Sequence, residues 1–284
     1  MQELTASRST GESLKVVLFC GGRGLRIRDY EEPVPKPMIP IGYRPIVWHL
    51  MRYYAHHGHR RFVLCLGHRA DAVKEYFLRY DEALSNDFVL RGGGQDIELM
   101  STDIHDWEVA FVDTGLESNI GERLCAVRRH VEDEEIFLAN YGDGLTDAPL
   151  DRLLADFADR GKVAAFVSVR APYSYDYVQV DGDGRVTAIE GARDSDIWIN
   201  GGFFIFRREL FDYIGAGEEL VREPFRRLIA EGQLVAYPYE GYWAAMDTLK
   251  DHQELERLYH TGEAPWMVWQ TAVSAPPGEP LRSR

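Results

Sequence analysis

Residues 14–40 read LKVVLFCGGRGLRIRDYEEPVPKPMIP. The first strand candidate is Leu14–Phe19, LKVVLF, an apolar run with the pattern of a strand covered on both faces. It runs straight into Gly21-Gly22-Arg23-Gly24. Glycines let a chain turn tightly and bring backbone N–H groups close to a ligand, and loops of this kind bind phosphates. Arg23, Arg26 and Arg28 crowd the same stretch, and Lys36 follows between Pro35 and Pro37. The flanking prolines stiffen the backbone that presents this cation. The spacing is not a dinucleotide fingerprint, because Ile27 stands where the third glycine belongs, and no Gly-Lys-Ser/Thr makes it a P-loop. On its residues alone the stretch is either a phosphate cradle ringed by cations or a tight turn followed by solvated basic side chains.

Outward from this stretch the pattern alternates. Pro45 opens a helix, PIVWHLMRYYAHHG, that Gly58 closes. RFVLCL (residues 61–66) reads as a second strand, and apolar residues at Val73, Tyr76, Phe77 and Tyr80 mark a helix. Strand signals recur at 109–112, 136–140 and 163–169, with helical stretches between them. Alternating units of this kind predict a mostly parallel sheet with helices on both faces. Residues 177–190, YVQVDGDGRVTAIE, are two alternating strands around a hairpin turn. Further strand pieces lie at 202–206 and 234–237, and the last helix spans 248–260. The expected fold is α/β and Rossmann-like, a mostly parallel mixed sheet flanked by helices with an antiparallel addition in the second half. Residues 1–13 read as a flexible leader and 271–284 as a flexible tail, with one compact body between them.

The chain has 284 residues with 45% hydrophobic composition, enough to bury a sizeable core. Its 46 acidic and 32 basic residues leave a net charge of −14. A surface that acidic repels phosphate backbones, so no nucleic-acid partner is expected. No run of 18 apolar residues suggests a membrane span, and the polar N-terminus lacks a signal-peptide core. Cys20, Cys65 and Cys125 are an odd, scattered set. They read as reduced thiols in a cytoplasmic protein.

The segments GGRGLRIRD…PVPKPMIPIGYRPIVWHL, VDTGLES…GERL, FLANYGDG, WINGGFFIF, GYWAAMDTLKD and GEAPWMVW occur here in one order. Together they resemble the sugar-1-phosphate nucleotidyltransferases from about Leu14 to Trp269, and within that family the cytidylyltransferases of glucose 1-phosphate. The resemblance implies the nucleotidyltransferase fold, with residues 14–150 binding the nucleotide and 151–270 binding the sugar phosphate within one domain. It also implies transfer of CMP from CTP to a hexose 1-phosphate, giving a CDP-sugar, CDP-glucose foremost, and pyrophosphate. Such a product feeds nucleotide-sugar metabolism. A homo-oligomer is expected, with the segment after Gly262 taking part.

The resemblance also assigns residues. Gly21, Gly22, Arg23, Gly24 and Leu25 would cradle the triphosphate, and Arg26 and Lys36 would neutralise the reacting phosphates. Thr114, Gly121 and Arg123 fall in the segment that would read the base. Asp143 and Asp247 would hold Mg²⁺, a metal that takes carboxylates plus phosphate oxygens. Read without the family, Asp143 is a turn residue and Asp247 a helix cap. Glu190, Arg193, Asn200, Gly201 and Tyr175 belong to the sugar-phosphate side, where an amide suits hydroxyls and glycines allow close approach. Without the family, Asn200-Gly201-Gly202 is a β-bulge, and Tyr173, Tyr175 and Tyr177 are packing residues.

Two positions depart from the family. Leu25 replaces a threonine, and Gly191 stands where the family has a phosphate-binding lysine. Arg193, two positions on and on the same face of an extended segment, is the expected substitute. The departures leave two other readings open: the same chemistry on another phosphate acceptor or pyrimidine nucleotide, and a silent homologue that binds sugar nucleotides. Asp181-Gly-Asp183 reads as a hairpin turn, and His49, His56, His57 and His59 lack metal-ligand spacing.

Overall fold

β1 (Lys15–Phe19) is buried on both faces. Its side chains alternate between two cores. Val16 and Leu18 join the cluster under α1 (Ile46–His56), and Val17 and Phe19 join the opposite one. Burial of each such side chain contributes about 1.5–3 kcal/mol. The computed structural model describes residues 13–22, 34–170, 176–191 and 197–270. The expected leader and tail, the stretch 23–33 and residues 171–175 and 192–196 therefore lie outside the described residues, apart from Ser13.

β1 pairs in parallel with β2 (Arg61–Leu66) on one side and with β4 (Ile136–Tyr141) on the other. β3 (Glu108–Asp113) extends the sheet beyond β2, also in parallel. Beyond β4 the sheet turns antiparallel through β7 (Phe204–Arg207), which also pairs with β5 (Ala164–Arg170). The other edge of β5 takes β8 (Leu234–Tyr239) in parallel. β6 (Trp198–Asn200) pairs with the far end of β5, upstream of β7 in the chain. The sheet is thus mixed and eight-stranded, parallel in its first half.

Helices cover both faces. α1 and α6 (Leu249–His260) pack on one core, and α3 (Ile120–Val127) and α5 (Glu223–Ala230) on the other. α2 (Ala70–Leu78) and α4 (Leu150–Arg160) complete the crossovers. Gly58 closes α1 with φ +87°, a backbone that favours glycine. Among the described residues no helix is long and apolar enough to cross a membrane.

Among the described residues four two-stranded ribbons stand outside this sheet. Phe88–Arg91 pairs with Asp96–Leu99, a hairpin the sequence reading does not contain. Asp176–Val180 pairs with Val186–Gly191, as expected. Its turn is capped by Asp181, whose carboxylate accepts from the Asp183 and Arg185 N–H groups.

The chain runs from β1 to β2 and β3 on one side, then crosses to β4 on the other. That reversal is a switch point, and ligands of open α/β sheets bind outside the strand C-termini there. Cys20-Gly21-Gly22 leaves β1 and Tyr141-Gly142-Asp143 leaves β4 at that place. The Gly142 N–H donates to Phe19 O at 3.2 Å.

Candidate active site

Lys36 reaches into the switch point. Pro35 and Pro37 are buried, and the Met38 N–H closes a tight turn on Pro35 O at 2.7 Å. The turn aims the side chain at two acids. Nζ donates to Asp247 Oδ1 at 2.8 Å and to Asp143 Oδ2. Burial alone would push the ammonium pKa down, but Asp143 and then Asp247 outweigh it, and the pKa is raised.

A three-residue ribbon brings these distant acids together. Gly144–Thr146, directly after Asp143, pairs antiparallel with Trp243–Ala245, just before Asp247. The Met246 N–H donates to Asp143 O at 3.1 Å, and the Thr146 hydroxyl to Tyr242 O at 2.8 Å. Asp247 is not the helix cap. Thr248 caps α6 in a capping box with Asp251. Gly142 is closely packed: a Cβ there would lie 3.1 Å from Phe19 O and 3.2 Å from Cys20 Sγ, so these neighbours would have to give way slightly.

The acids open onto a cleft of about 540 Å³, whose far wall carries Asn200, Tyr141, Glu219 and Trp243. Asn200 sits at a β-bulge in the strand that continues from β6 into β7. The Gly201 N–H and the Gly202 carbonyl both bond Val167, at 2.8 and 3.0 Å. The bulge frees the Gly201 carbonyl from the ladder, and the Trp243 indole N–H donates to it at 2.7 Å. The Asn140 amide oxygen accepts the Phe203 N–H at 3.0 Å, and Phe203 has φ +50°. Such a backbone costs about 1 kcal/mol or more in a non-glycine residue. The Asn200 amide donates to the Tyr141 hydroxyl at 3.3 Å. Burial, then the negative charge of Glu219, pushes the Tyr141 hydroxyl up to about 12.

The segment expected to read the base is tied to the sheet. Arg123 is 3% exposed. Its Nη1 donates to Leu66 O (3.2 Å) and Thr114 Oγ1 (2.6 Å), and its Nη2 donates to Gly21 O (3.1 Å). A guanidinium carries five N–H groups, so two stay unengaged among the described residues. Thr114 is buried and donates to Leu66 O at 2.8 Å. Gly121 faces the Glu218–Leu220 backbone, and a Cβ there would collide with Glu218 O. Ser118, Asn119 and Ile120, ahead of it, line the cleft. Asn119 caps α3 in a capping box with Glu122.

Gly21, Gly22, Lys36, Arg123, Asp143, Asn200 and Asp247 thus meet around one cleft. Thr114 lies beneath it, bonded to Arg123. Gly201 lies against Trp243 at the cleft wall, and Gly121 packs behind α3. Glu190 is exposed on the ribbon, paired across from Tyr177, and is not among the lining residues. Arg23, Gly24, Leu25, Arg26, Tyr175 and Arg193 lie outside the described residues. Tyr141, Glu219 and Trp243 are wall residues without an expected role. The quoted segments FLANYGDG and GYWAAMDTLKD held two of them, whereas nothing in the sequence distinguishes Glu219.

Cys20 and Cys65 are buried free thiols, held protonated by burial, and Cys125 is free and exposed. His49 is a core residue, donating from Nε2 to Ile41 O and accepting at Nδ1 from Trp266. Trp266 is itself fully buried, so the segment after Gly262 seals this chain's own core. Among the described residues no three His, Cys, Asp or Glu side chains gather as a metal site. Two carboxylates sharing one ammonium do fit a metal that draws its other ligands from phosphates and water.

A Gly-rich turn, a bridging lysine and paired acids at a switch point are what phosphoryl-transfer chemistry requires. The nucleotidyl transferase family matches residues 15–261, and the chain belongs to that family. It is 34% identical over 259 residues to the glucose-1-phosphate cytidylyltransferase of Salmonella typhi, spanning 90% of this chain and all of that one. A probable glucose-1-phosphate cytidylyltransferase of Bacillus subtilis is 32% identical over 258 residues, with the same coverage. A UDP-glucose pyrophosphorylase solved with UDP-glucose superposes with TM-score 0.65 at 14% identity, covering 88% of this chain and all of that one. That likeness establishes the fold alone.

Proposed function

We propose that this protein transfers CMP from CTP to a hexose 1-phosphate, glucose 1-phosphate first, releasing pyrophosphate and CDP-glucose. The observation that carries the reading is Lys36 bridging Asp143 and Asp247 at the sheet's switch point. The two relatives named as glucose-1-phosphate cytidylyltransferases support the choice of substrates.

In this reaction a phosphate oxygen of the sugar 1-phosphate attacks the α-phosphorus. The new P–O bond forms as the bond to the β-phosphate breaks, and pyrophosphate carries the electron pair away. A dianion must approach a polyanion, so charge and alignment are the protein's tasks. Lys36 neutralises the reacting phosphates from one side, with Gly21 and Gly22 offering N–H groups below them. By the family resemblance Arg23, Gly24, Leu25 and Arg26 add to the phosphate contacts, Arg26 neutralising charge together with Lys36. Asp143 and Asp247 would hold Mg²⁺, which supplies further charge neutralisation when bound. Thr114, Gly121 and Arg123 orient the base, with the two unengaged Arg123 N–H groups as donors. Asn200 binds the sugar, with Gly201 allowing its close approach, and the family resemblance adds Arg193 and Tyr175, whereas Glu190, exposed on the ribbon, stands outside this wall.

Two further features belong to this reading. The cytoplasm, where nucleoside triphosphates are abundant, is the site of action. The protein works as a homo-oligomer. Phe88, Leu90, Ile97 and Leu99 share one face of the first ribbon, and the first three are 41–56% exposed. A two-stranded ribbon with a bare apolar face is marginal alone and is stabilised by a second copy.

Gly191 favours one rival, another phosphate acceptor, because it leaves that position without a cation. Pyrophosphate release from CTP, UTP and dTTP, each with a panel of sugar 1-phosphates, tests the proposal. Turnover of CTP with glucose 1-phosphate is expected, abolished by Asp143→Asn with the melting temperature retained. Turnover only with another pair favours the rival. Binding of CDP-glucose without turnover of any pair would mark a regulatory homologue.

A further inference from the structure

The bulge that carries Asn200 is held from two directions. From behind, the sheet holds it: Val167 bonds the Gly201 N–H and the Gly202 carbonyl, and the Asn140 amide oxygen accepts the Phe203 N–H. From the front, Trp243 ties it to the acids. Its indole N–H donates to Gly201 O at 2.7 Å. Trp243 also opens the three-residue strand that pairs with Gly144–Thr146, so Asp143 and Asp247 flank the ribbon it belongs to. Gly201 makes the approach possible, since a Cβ there would lie 3.2 Å from the indole nitrogen and 2.9 Å from Val167 O. The Asn200 amide oxygen accepts the Gly202 N–H at 2.9 Å, so the bulge in turn sets how this side chain points. Trp243 and Asn200 both line the cleft.

On the function proposed above, the acceptor spans this frame, its phosphate beside Lys36 and the acids and its hexose beside Asn200. Resting on that reading, we infer that Trp243 is a positioning residue for the acceptor: its indole N–H holds the Asn200 bulge at the distance from the acids that lines the sugar phosphate up for attack. Without that donor the Gly201 carbonyl loses its partner and the bulge is free to shift. A displacement of about 1 Å is enough to cost about 10²-fold in rate. The hexose still finds Asn200, so the loss falls on kcat and spares KM.

Trp243→Phe and Trp243→His test this as a pair. Phe keeps more of the ring surface but has no N–H. The His imidazole is smaller, yet its Nε2 overlays the indole nitrogen and can donate. Trp243→Phe should lower kcat about tenfold or more, with the glucose 1-phosphate KM within about threefold and the CTP KM unchanged. Trp243→His should retain the greater kcat of the two, although thermal melts should find it the less stable because it buries less surface. The opposite order, with Phe the more active variant, would mean that the ring acts by packing alone and overturns the inference. So does an unchanged kcat in Trp243→Phe, or a change confined to the CTP KM. Wild-type protein that turns over no sugar 1-phosphate overturns the proposed function itself, and this inference with it.

Discussion

Lys36→Ala separates two consequences of one ammonium. In the folded protein its Nζ is bonded to both acids, with only 17% of the lysine side chain exposed. Removing it leaves two carboxylates roughly 5 Å apart, which repel by about 3 kcal/mol at an effective dielectric of about 20. Asp247 keeps 36% of its side chain exposed. Screening and proton uptake therefore reduce the net loss of stability to about 1–2 kcal/mol. That corresponds to a melting temperature lower by about 2–6 °C. A divalent cation relieves the same repulsion, so Mg²⁺ should raise the melting temperature of the variant more than that of wild type. Turnover responds separately. Loss of one preorganised cation at the developing charge costs about 3–4 kcal/mol, so kcat for pyrophosphate release should fall by about 10²–10³. Thermal melts with and without Mg²⁺, beside steady-state kinetics, measure both. A variant with an unchanged melting temperature, no response to Mg²⁺ and a kcat within about tenfold of wild type would refute the electrostatic reasoning.

Two other expectations concern the frame of the site. Burial pushes the His49 and His59 rings down to about 4 from 6.5. The folded state keeps them neutral while the unfolded chain binds protons below about pH 6.5, so stability is level above that and falls toward pH 4, by up to about 3 kcal/mol per ring. Denaturant titrations at about pH 7.5 and about pH 5 check this, and equal stabilities at both would contradict it. Gly202→Ala adds a Cβ at φ +77° that collides with the Asn140 amide oxygen holding Phe203. It should lose about 2–4 kcal/mol and weaken sugar-phosphate binding. Gly58→Ala, at φ +87° with open space around it, should lose only about 1 kcal/mol, and equal losses would show that the bulge contact is unimportant.

The parallel half of the sheet was legible because its strands are continuous apolar runs. LKVVLF and RFVLCL read as doubly covered strands, and the structure places them side by side. The loop after β1 and the stiff Lys36 segment were legible for a related reason: glycine and proline restrict the backbone locally. What stayed hidden depends on contacts between distant segments. The ribbon joining Gly144–Thr146 to Trp243–Ala245 is three residues long on each side, too short for any periodicity. Only the family resemblance implied that Asp143 and Asp247 meet. Arg123 is assigned to the base only by the family resemblance, and its burial against Gly21, Leu66 and Thr114 has no counterpart in the sequence reading. Nothing local signals that, since its partners are backbone carbonyls and one hydroxyl. Glu219 is one of 46 acidic residues, and only its place in the cleft distinguishes it.

The short ribbon that seats both acids also sets an order of events during synthesis. Closing so long a loop carries an entropic cost that local contacts must first offset. A nascent chain can assemble β1 through β4 while its C-terminal segment is still inside the ribosome, but it then presents Asp143 without Asp247. Trp266, buried against His49 on α1, arrives later still. The emerging polypeptide therefore has one wall of the cleft long before it has both acids, and the proposed centre is complete only when the final helix docks.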